Sequence, residues 1–156
     1  MQNRQAVFTN LLSALSAVLT PTGIFPPDPA VKVTMDYRSI ETDENASMPA
    51  VYVVVLDEPP VQDSDDPPIE KINFHIEVHM DKDNLIDKDA TSAIFPILDA
   101  IDKVVGREAK DKVTQRDQTL GGLVRWCRRS GPTKYFLDVM ATKCAVVVPC
   151  QILNNH

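Results

Sequence analysis

Residues 72–81 read INFHIEVHMD, and this stretch decides how the chain is expected to fold. Apolar and polar residues alternate along it, and this period of two indicates a β-strand rather than a helix. The apolar set is Ile72, Phe74, Ile76, Val78 and Met80, and the polar set is Asn73, His75, Glu77, His79 and Asp81. The alternation therefore predicts a half-buried strand whose polar face is turned toward water or toward another subunit.

His75, Glu77 and His79 on the polar face raise the question of a metal site. On an extended strand the two histidines would lie about 13 Å apart, at roughly 3.3 Å per residue. Zinc holds its nitrogen ligands at about 2.0–2.1 Å, so one ion cannot bridge both along a single strand. The pattern predicts no metal here, and a site that combines one histidine with a ligand from another strand stays open as the alternative.

Composition limits the class of protein. With 156 residues, 44% apolar and 24% charged, the chain fits one globular domain. The net charge of −6 argues against a nucleic-acid-binding module held by overall charge. No apolar run reaches the roughly 18 residues that span a bilayer, so no membrane contact is expected. Three cysteines without a CxxC pair predict unpaired thiols in a reducing compartment, at Cys127, Cys144 and Cys150.

The order of segments predicts a single α+β domain over residues 1–156, with two helices packed on one face of a mainly antiparallel β-sheet. Its parts are a helix at 1–20, strands within 31–80 that enclose an acidic loop at 57–71, a helix at 89–105 and a β-rich part at 113–153. The first strand is expected at 31–37. The nearly continuous apolar run 51–56 predicts a central strand that is covered on both faces and pairs antiparallel with residues 72–80.

Breaker residues refine these boundaries. Pro96 lies inside the second helix and predicts a kink or a later start, Asp87 or Asp89 could cap its N-terminus, and Gly106 is placed to end it. Near the C-terminus, LVRWCRR (123–129) and KYFLDVM (134–140) flank a Gly-Pro turn, which predicts a hairpin. Pro149 predicts that the last strand lies at a sheet edge or contains a bulge.

The segment RWCRR is the one local reversal of charge in an acidic chain. Arginine and tryptophan are enriched at interface hot spots, so a contact with an acidic partner is the favoured interpretation. Decoration of an exposed hairpin is the alternative. The candidate partner-contact residues are Arg125, Trp126, Arg128, Arg129 and Lys134.

Catalytic patterns are lacking in the sequence. It has no Gly-rich phosphate loop, no GxSxG and no HExxH, so neither enzymatic activity nor a cofactor is expected. Acidic clusters at 63–66 and 81–83 could attract a divalent cation, but solvated loop charges are far more frequent and are the favoured explanation.

The segments together resemble the tail terminator proteins of long-tailed phages, the group typified by the minor tail protein U of lambda-like phages. The resemblance rests on the N-terminal amphipathic helix, on PAVYVVVLDE (49–58) and INFHIEVHM (72–80), and on SAIFPILDAIDKVV (92–105) with its internal proline. It covers the chain up to about residue 105. Residues 106–156 depart from the family in length and in carrying RWCRR.

The resemblance implies a non-enzymatic virion protein of the tail or neck, assembled in the host cytoplasm. A homohexameric ring would cap the tail tube, end its polymerisation and offer a surface for head-tail joining. Its partners would be further copies of itself, the major tail tube protein and head-completion or connector proteins, while DNA passes through the ring without sequence-specific binding. Another neck ring component, a metal-dependent enzyme at His75, Glu77 and His79, and a cellular binding module using the sheet edge at 144–153 are the competing readings.

Overall fold

The computed structural model describes residues 3–19, 32–44, 49–62, 68–81, 90–107, 109, 118–139 and 142–155. Within these ranges it contains two α-helices and one six-stranded sheet. The elements are α1 Arg4–Leu19, β1 Lys32–Thr34, β2 Ala50–Asp57, β3 Ile69–Asp81, α2 Ala90–Val105, β4 Trp126–Arg129, β5 Lys134–Val139 and β6 Lys143–Asn155. The predicted α+β class is confirmed.

The sheet has the strand order β1-β2-β3-β6-β4, and β5 also pairs with β6. The β1–β2 pair is parallel and the remaining pairs are antiparallel, so the sheet is mixed, with one parallel pair at its edge. The predicted antiparallel pairing of residues 51–56 with 72–80 is confirmed, with Val53 opposite Ile76.

One apolar core lies between the two helices and one face of the sheet. The alternation on β3 turns Phe74 and Ile76 into it, and both side chains are completely buried. From α1, Leu11 and Leu15 enter the same core, and the Phe8 ring meets the Phe74 ring edge-on at 6.0 Å. The apolar half of the INFHIEVHMD pattern is thus the face that holds both helices.

The first strand, β1, is shorter than the predicted strand at 31–37. β1 has only three residues and pairs with Ala50 to Tyr52, and Met35 to Tyr37 lie outside it. The C-terminal half of β2 therefore projects past its neighbour, and Val55 and Leu56 are 41% and 55% exposed. The prediction that this run is covered on both faces is wrong at this end.

Helix α2 runs from Ala90 through Pro96 to Val105, so the later start that Pro96 suggested is not observed. Its proposed N-cap residues lie outside the described residues. Gly106 ends the helix as predicted, and its N–H donates to the Asp102 carbonyl at 2.9 Å. A Cβ atom at Gly106 would lie 2.3 Å from that same oxygen, which explains why glycine stands there.

The predicted hairpin at 123–140 is wrong. β4 pairs with residues 150–153 of β6, and β5 pairs with residues 143–147 of the same edge, so the two strands lie one after the other. The 13-residue β6 is long enough to hold both, and the Gly-Pro segment joins them in line.

Pro149 lies at the junction between β4 and β5. The Pro149 carbonyl oxygen accepts a hydrogen bond from Ser130 N–H at 3.0 Å. In an antiparallel strand the N–H and C=O of one residue point to the same side, so the N–H that proline lacks would also have pointed toward β4 and β5. Because neither β4 nor β5 pairs with Pro149, no ladder hydrogen bond is lost. β6 is locally an edge at this position, which is the predicted setting for this proline.

All three cysteines are buried free thiols, as the sequence predicted. Neither described helix is long and apolar enough to cross a membrane.

Candidate functional site

The polar face of β3 is covered, which corrects the expectation that it is turned toward water. His79 is completely buried, and Glu77 is only 9% exposed. The residues that follow β1 fold back over this face and bring Asp43 onto it, with 1% exposure. Alanines flank His79 on both neighbouring strands, Ala50 on β2 and Ala145 on β6, which leaves room for the imidazole and the covering loop.

Carboxylates approach both nitrogens of the His79 ring. Nδ1 lies 2.7 Å from Asp43 Oδ2, and Nε2 lies 2.7 Å from Glu77 Oε1. Tyr52, which stands opposite Glu77 on β2, donates its hydroxyl to Asp43 Oδ2 at 3.0 Å. When both acids are ionised, each contact is a hydrogen bond only if the ring carries a proton on each nitrogen.

Glu77 is the centre of the outer half of the cluster. Its Oε1 also accepts from the Tyr37 hydroxyl at 3.1 Å, and its Oε2 lies 3.0 Å from Nε2 of His75. The rings pack on one another, with Tyr52 and His79 centroids 4.8 Å apart and Tyr37 and Tyr52 centroids 5.5 Å apart. We call Tyr37, Asp43, Tyr52, His75, Glu77 and His79 the buried polar cluster.

Burial and hydrogen bonding oppose each other at Glu77. Burial alone would raise the pKa of its carboxyl, but hydrogen bonds from His75 and His79, with help from Tyr37, lower that pKa to about 2. Burial raises the pKa of Tyr37 and of Tyr52 to about 12, and the neighbouring carboxylates act in the same direction. The carboxylate of Glu77 is therefore ionised and the two phenols are neutral over the physiological range.

The hydrogen bonds of the buried polar cluster hold the loop 37–43 on the sheet. Lys143 at the start of β6 reinforces this attachment, because its Nζ donates to the carbonyls of Ile40 and Asp43 at 3.1 and 3.3 Å. Loop residues 37–43 are thus fixed to β2, β3 and β6 at once. His79 offers no nitrogen to a metal, since both already contact carboxylates. Across the residues that the structure describes, no group of three or more His, Cys, Asp or Glu side chains could hold a metal ion.

Sequence reasoning found three members of this cluster and missed the other three. Asp43 lies 36 positions before His79 in a polar segment that resembles any surface loop, so no sequence signal marked it. Tyr52 carried a signal that could have been used, because it alternates with the core-facing Val51 and Val53 and must lie on the face of Glu77.

The candidate partner-contact residues do not form one patch. Trp126 and Arg128 lie on the outer face of β4, with the Arg128 guanidinium carbon 4.3 Å above the Trp126 ring. Arg129 stands opposite Cys150 on the other face, donates from Nη1 to Asp102 on α2 at 2.9 Å, and also contacts Thr133 Oγ1. Arg125 and Lys134 are exposed. An open cavity is lined by Asp102, Gly106, Arg107, Arg128 and Arg129.

Cys127 and Cys150 lack the low thiol pKa of reactive cysteines. Burial raises the pKa of Cys150 to about 12 and raises that of Cys127 in the same direction.

Comparison with solved structures finds a likeness of fold. The chain is similar in fold to a chain from the virion of a native gene transfer agent particle. The likeness has a TM-score of 0.51 at 13% sequence identity, and it covers 99% of this chain and 95% of the other. No protein-family model and no curated protein matches the sequence. At this identity the likeness establishes a shared fold over essentially the whole chain.

Proposed function

We propose that this chain is a structural, non-enzymatic virion protein that acts as a tail terminator. In this role a homohexameric ring caps the tail tube, ends its polymerisation and presents the surface for head-tail joining in the neck. The observation that carries the proposal is the fold likeness to a gene transfer agent virion chain over nearly the full length of both. The resemblance of the first 105 residues to the tail terminator family supports the finer role.

The buried polar cluster supports a structural role over the metal-enzyme reading. His79, at its centre, is enclosed by two carboxylates and a covering loop, with no exposed surface. A general base or a metal ligand needs access to a substrate or an ion, whereas this arrangement fixes a loop on a sheet. The partners proposed are further copies of the chain, the major tail tube protein and the head-completion or connector proteins.

Deleting the gene from the genome that produces the particle tests the role, with electron microscopy of the resulting particles as the measurement. A terminator predicts overlong tails of variable length, and the wild-type gene supplied in trans should restore uniform tails. Tails of normal length that fail to join heads would instead assign the chain to another neck component. Intact, infectious particles in the absence of the gene would overturn the virion role itself.

A further inference from the structure

Two edges of the sheet have no strand partner among the described residues. On one side β1 pairs with β2 only as far as Tyr52, so residues 53–57 continue past it. On the other side β5 pairs with β6, and no described strand pairs with its outer edge. Unpaired edges are templates for pairing with another chain, and proteins normally protect them with charges, bulges or a covering segment.

The direction of the backbone groups on each edge follows from the ladders. Since Pro149 O points toward the β4–β5 side, odd-numbered residues of β6 hydrogen-bond to β5, and even-numbered residues to β3. Tyr135 stands opposite Val146, so its N–H and C=O point outward from the sheet. The same alternation of hydrogen-bonding direction holds in β3 and β2. The N–H and C=O groups of Val53 and Val55 therefore point outward from the sheet, beyond the end of β1.

Both edges expose apolar side chains. On β5, Tyr135 and Phe136 are 42% and 47% exposed, and on β2 the values for Val55 and Leu56 are 41% and 55%. Tyr135 and Val55 stand opposite Val146 and Phe74, both core residues, so each leaves the sheet on its helix-bearing face. The two edges therefore match in backbone groups and in apolar side chains from Val53 to Val55 and from Lys134 to Phe136, and the strand register shifts after Val55 and after Phe136.

The charges beside the two edges are opposite. The exposed Lys134 begins β5, whereas β2 ends at Asp57, whose carboxylate accepts from Asn73 at 2.6 Å. The next residue, Glu58, is already paired with Arg4 at 2.6 and 2.8 Å, so Asp57 supplies the negative charge at this edge. In an antiparallel pairing with Tyr135 opposite Val55, Lys134 falls opposite Leu56 and next to Asp57. A parallel pairing would carry Lys134 toward the other end of the β2 edge, so charge complementarity selects the antiparallel arrangement.

We propose that β5 of one copy adds antiparallel to the β2 edge of the next copy, with Tyr135 opposite Val55 and Phe136 opposite Val54. This proposal rests on the proposed ring and names its subunit contact. Because the two edges are different surfaces of one molecule, the contact is head-to-tail and repeats around a closed ring. Strand addition supplies main-chain hydrogen bonds, and the exposed apolar side chains supply the register.

Cysteine cross-linking tests the contact directly. Variants Val55→Cys and Tyr135→Cys are mixed and oxidised, because residues opposite each other in an antiparallel pair have Cα atoms about 4.5–5.5 Å apart, within disulfide reach. The native thiols Cys127, Cys144 and Cys150 are buried and stay common to every sample. The expected result is a covalent dimer from the mixture and a ladder of oligomers from the double variant Val55→Cys/Tyr135→Cys.

The matched control replaces Val55→Cys by Val61→Cys, an exposed valine beyond the end of β2, which should give no dimer with Tyr135→Cys. Sedimentation of the wild-type chain is measured in parallel. If the wild-type chain forms rings but the cysteine variants do not cross-link, the proposed β5–β2 contact is wrong and the proposed ring still stands. A wild-type chain that neither sediments as an oligomer nor cross-links would also overturn it, and tail length in the deletion experiment would still decide the proposed function.

Discussion

The residue-scale feature that holds this fold together is a histidine with no exposed surface between two carboxylates. Burying three ionisable groups is favourable only when each is hydrogen-bonded, and the hydroxyls of Tyr37 and Tyr52 supply further donors to the two carboxylates. Removing His79 should therefore leave the buried carboxyl groups of Asp43 and Glu77 without the ring that contacts both. By the same change Asp43 would lose its contact with β3, and the Tyr37–Glu77 hydrogen bond would remain between loop 37–43 and that strand.

His79→Ala is expected to destabilise the protein by about 3–5 kcal/mol, the range measured for breaking a buried ion pair. Urea unfolding followed by circular dichroism checks this value. His75→Ala is the matched control, since His75 contacts the same Glu77 carboxylate from a side chain that is 20% exposed, and its loss should cost less than that of His79→Ala. Equal losses for the two variants would show that burial of His79 between carboxylates has no special weight.

The depressed pKa of Glu77 predicts a stability loss in acid. A carboxyl whose pKa falls from 4.5 in the unfolded chain to about 2 in the fold stabilises the fold above pH 4.5. That contribution, up to roughly 3 kcal/mol, is lost as the pH falls from 4.5 toward 2. The slope of unfolding free energy against pH between 5 and 2.5 should be shallower in Glu77→Gln than in wild type. The same slope in both proteins would contradict the assigned pKa.

At the scale of elements, the period of two in residues 72–81 was sufficient to predict β3 and its core face, because one side of a strand must be apolar when helices cover it. The helical spacing of apolar residues predicted α1 and α2 to within one or a few residues at each end. The same local signals misled at β4 and β5, where a Gly-Pro turn suggested a hairpin. β4 and β5 both pair with β6 because that strand is long and has a free edge. The sequence of the turn contains no information about either property of β6.

The loop that covers the polar face of β3 could not be predicted from the local sequence pattern either. Alternation showed that His75, Glu77 and His79 share a face, but it does not reveal what lies above that face. Asp43 reaches His79 only because β1 pairs parallel with β2 and ends after three residues, so that the chain turns back over the sheet.

Gly106 provides a test of how α2 ends. Gly106→Ala places a Cβ atom 2.3 Å from the Asp102 carbonyl oxygen, so the last turn of α2 must shift, and a loss of about 1–3 kcal/mol is expected. Gly131→Ala is the matched control, because its Cβ would meet only the Pro149 side chain at 3.5 Å, an ordinary contact. Thermal unfolding of both variants measures the difference. A Gly106→Ala protein as stable as the control would mean that the last turn of α2 shifts at no measurable cost in stability.

At the scale of the whole molecule, net charge sets the conditions for assembly. Each copy carries −6, so the proposed ring of six copies would carry 6 × −6 = −36, and this charge would oppose both ring closure and DNA binding. The absence of tight DNA binding would suit a ring through which DNA slides. Closure then depends on short-range contacts at the two sheet edges outweighing long-range repulsion, which salt weakens most.

Association is therefore expected to increase as the Debye length falls from about 30 Å at 0.01 M salt to about 8 Å at 0.15 M. Two variants outside the proposed edges should move the salt requirement in opposite directions. The pair Glu41→Lys and Glu44→Lys, at exposed loop positions, changes the charge per copy from −6 to −6 + 4 = −2 and should permit association at lower salt. Lys103→Glu, on an exposed position of α2, changes it to −6 − 2 = −8 and should require more. Sedimentation velocity across the salt series measures all three proteins. If salt instead dissociates the wild-type oligomer and the variants do not shift its midpoint, direct ion pairs across the contact, rather than net repulsion, control assembly.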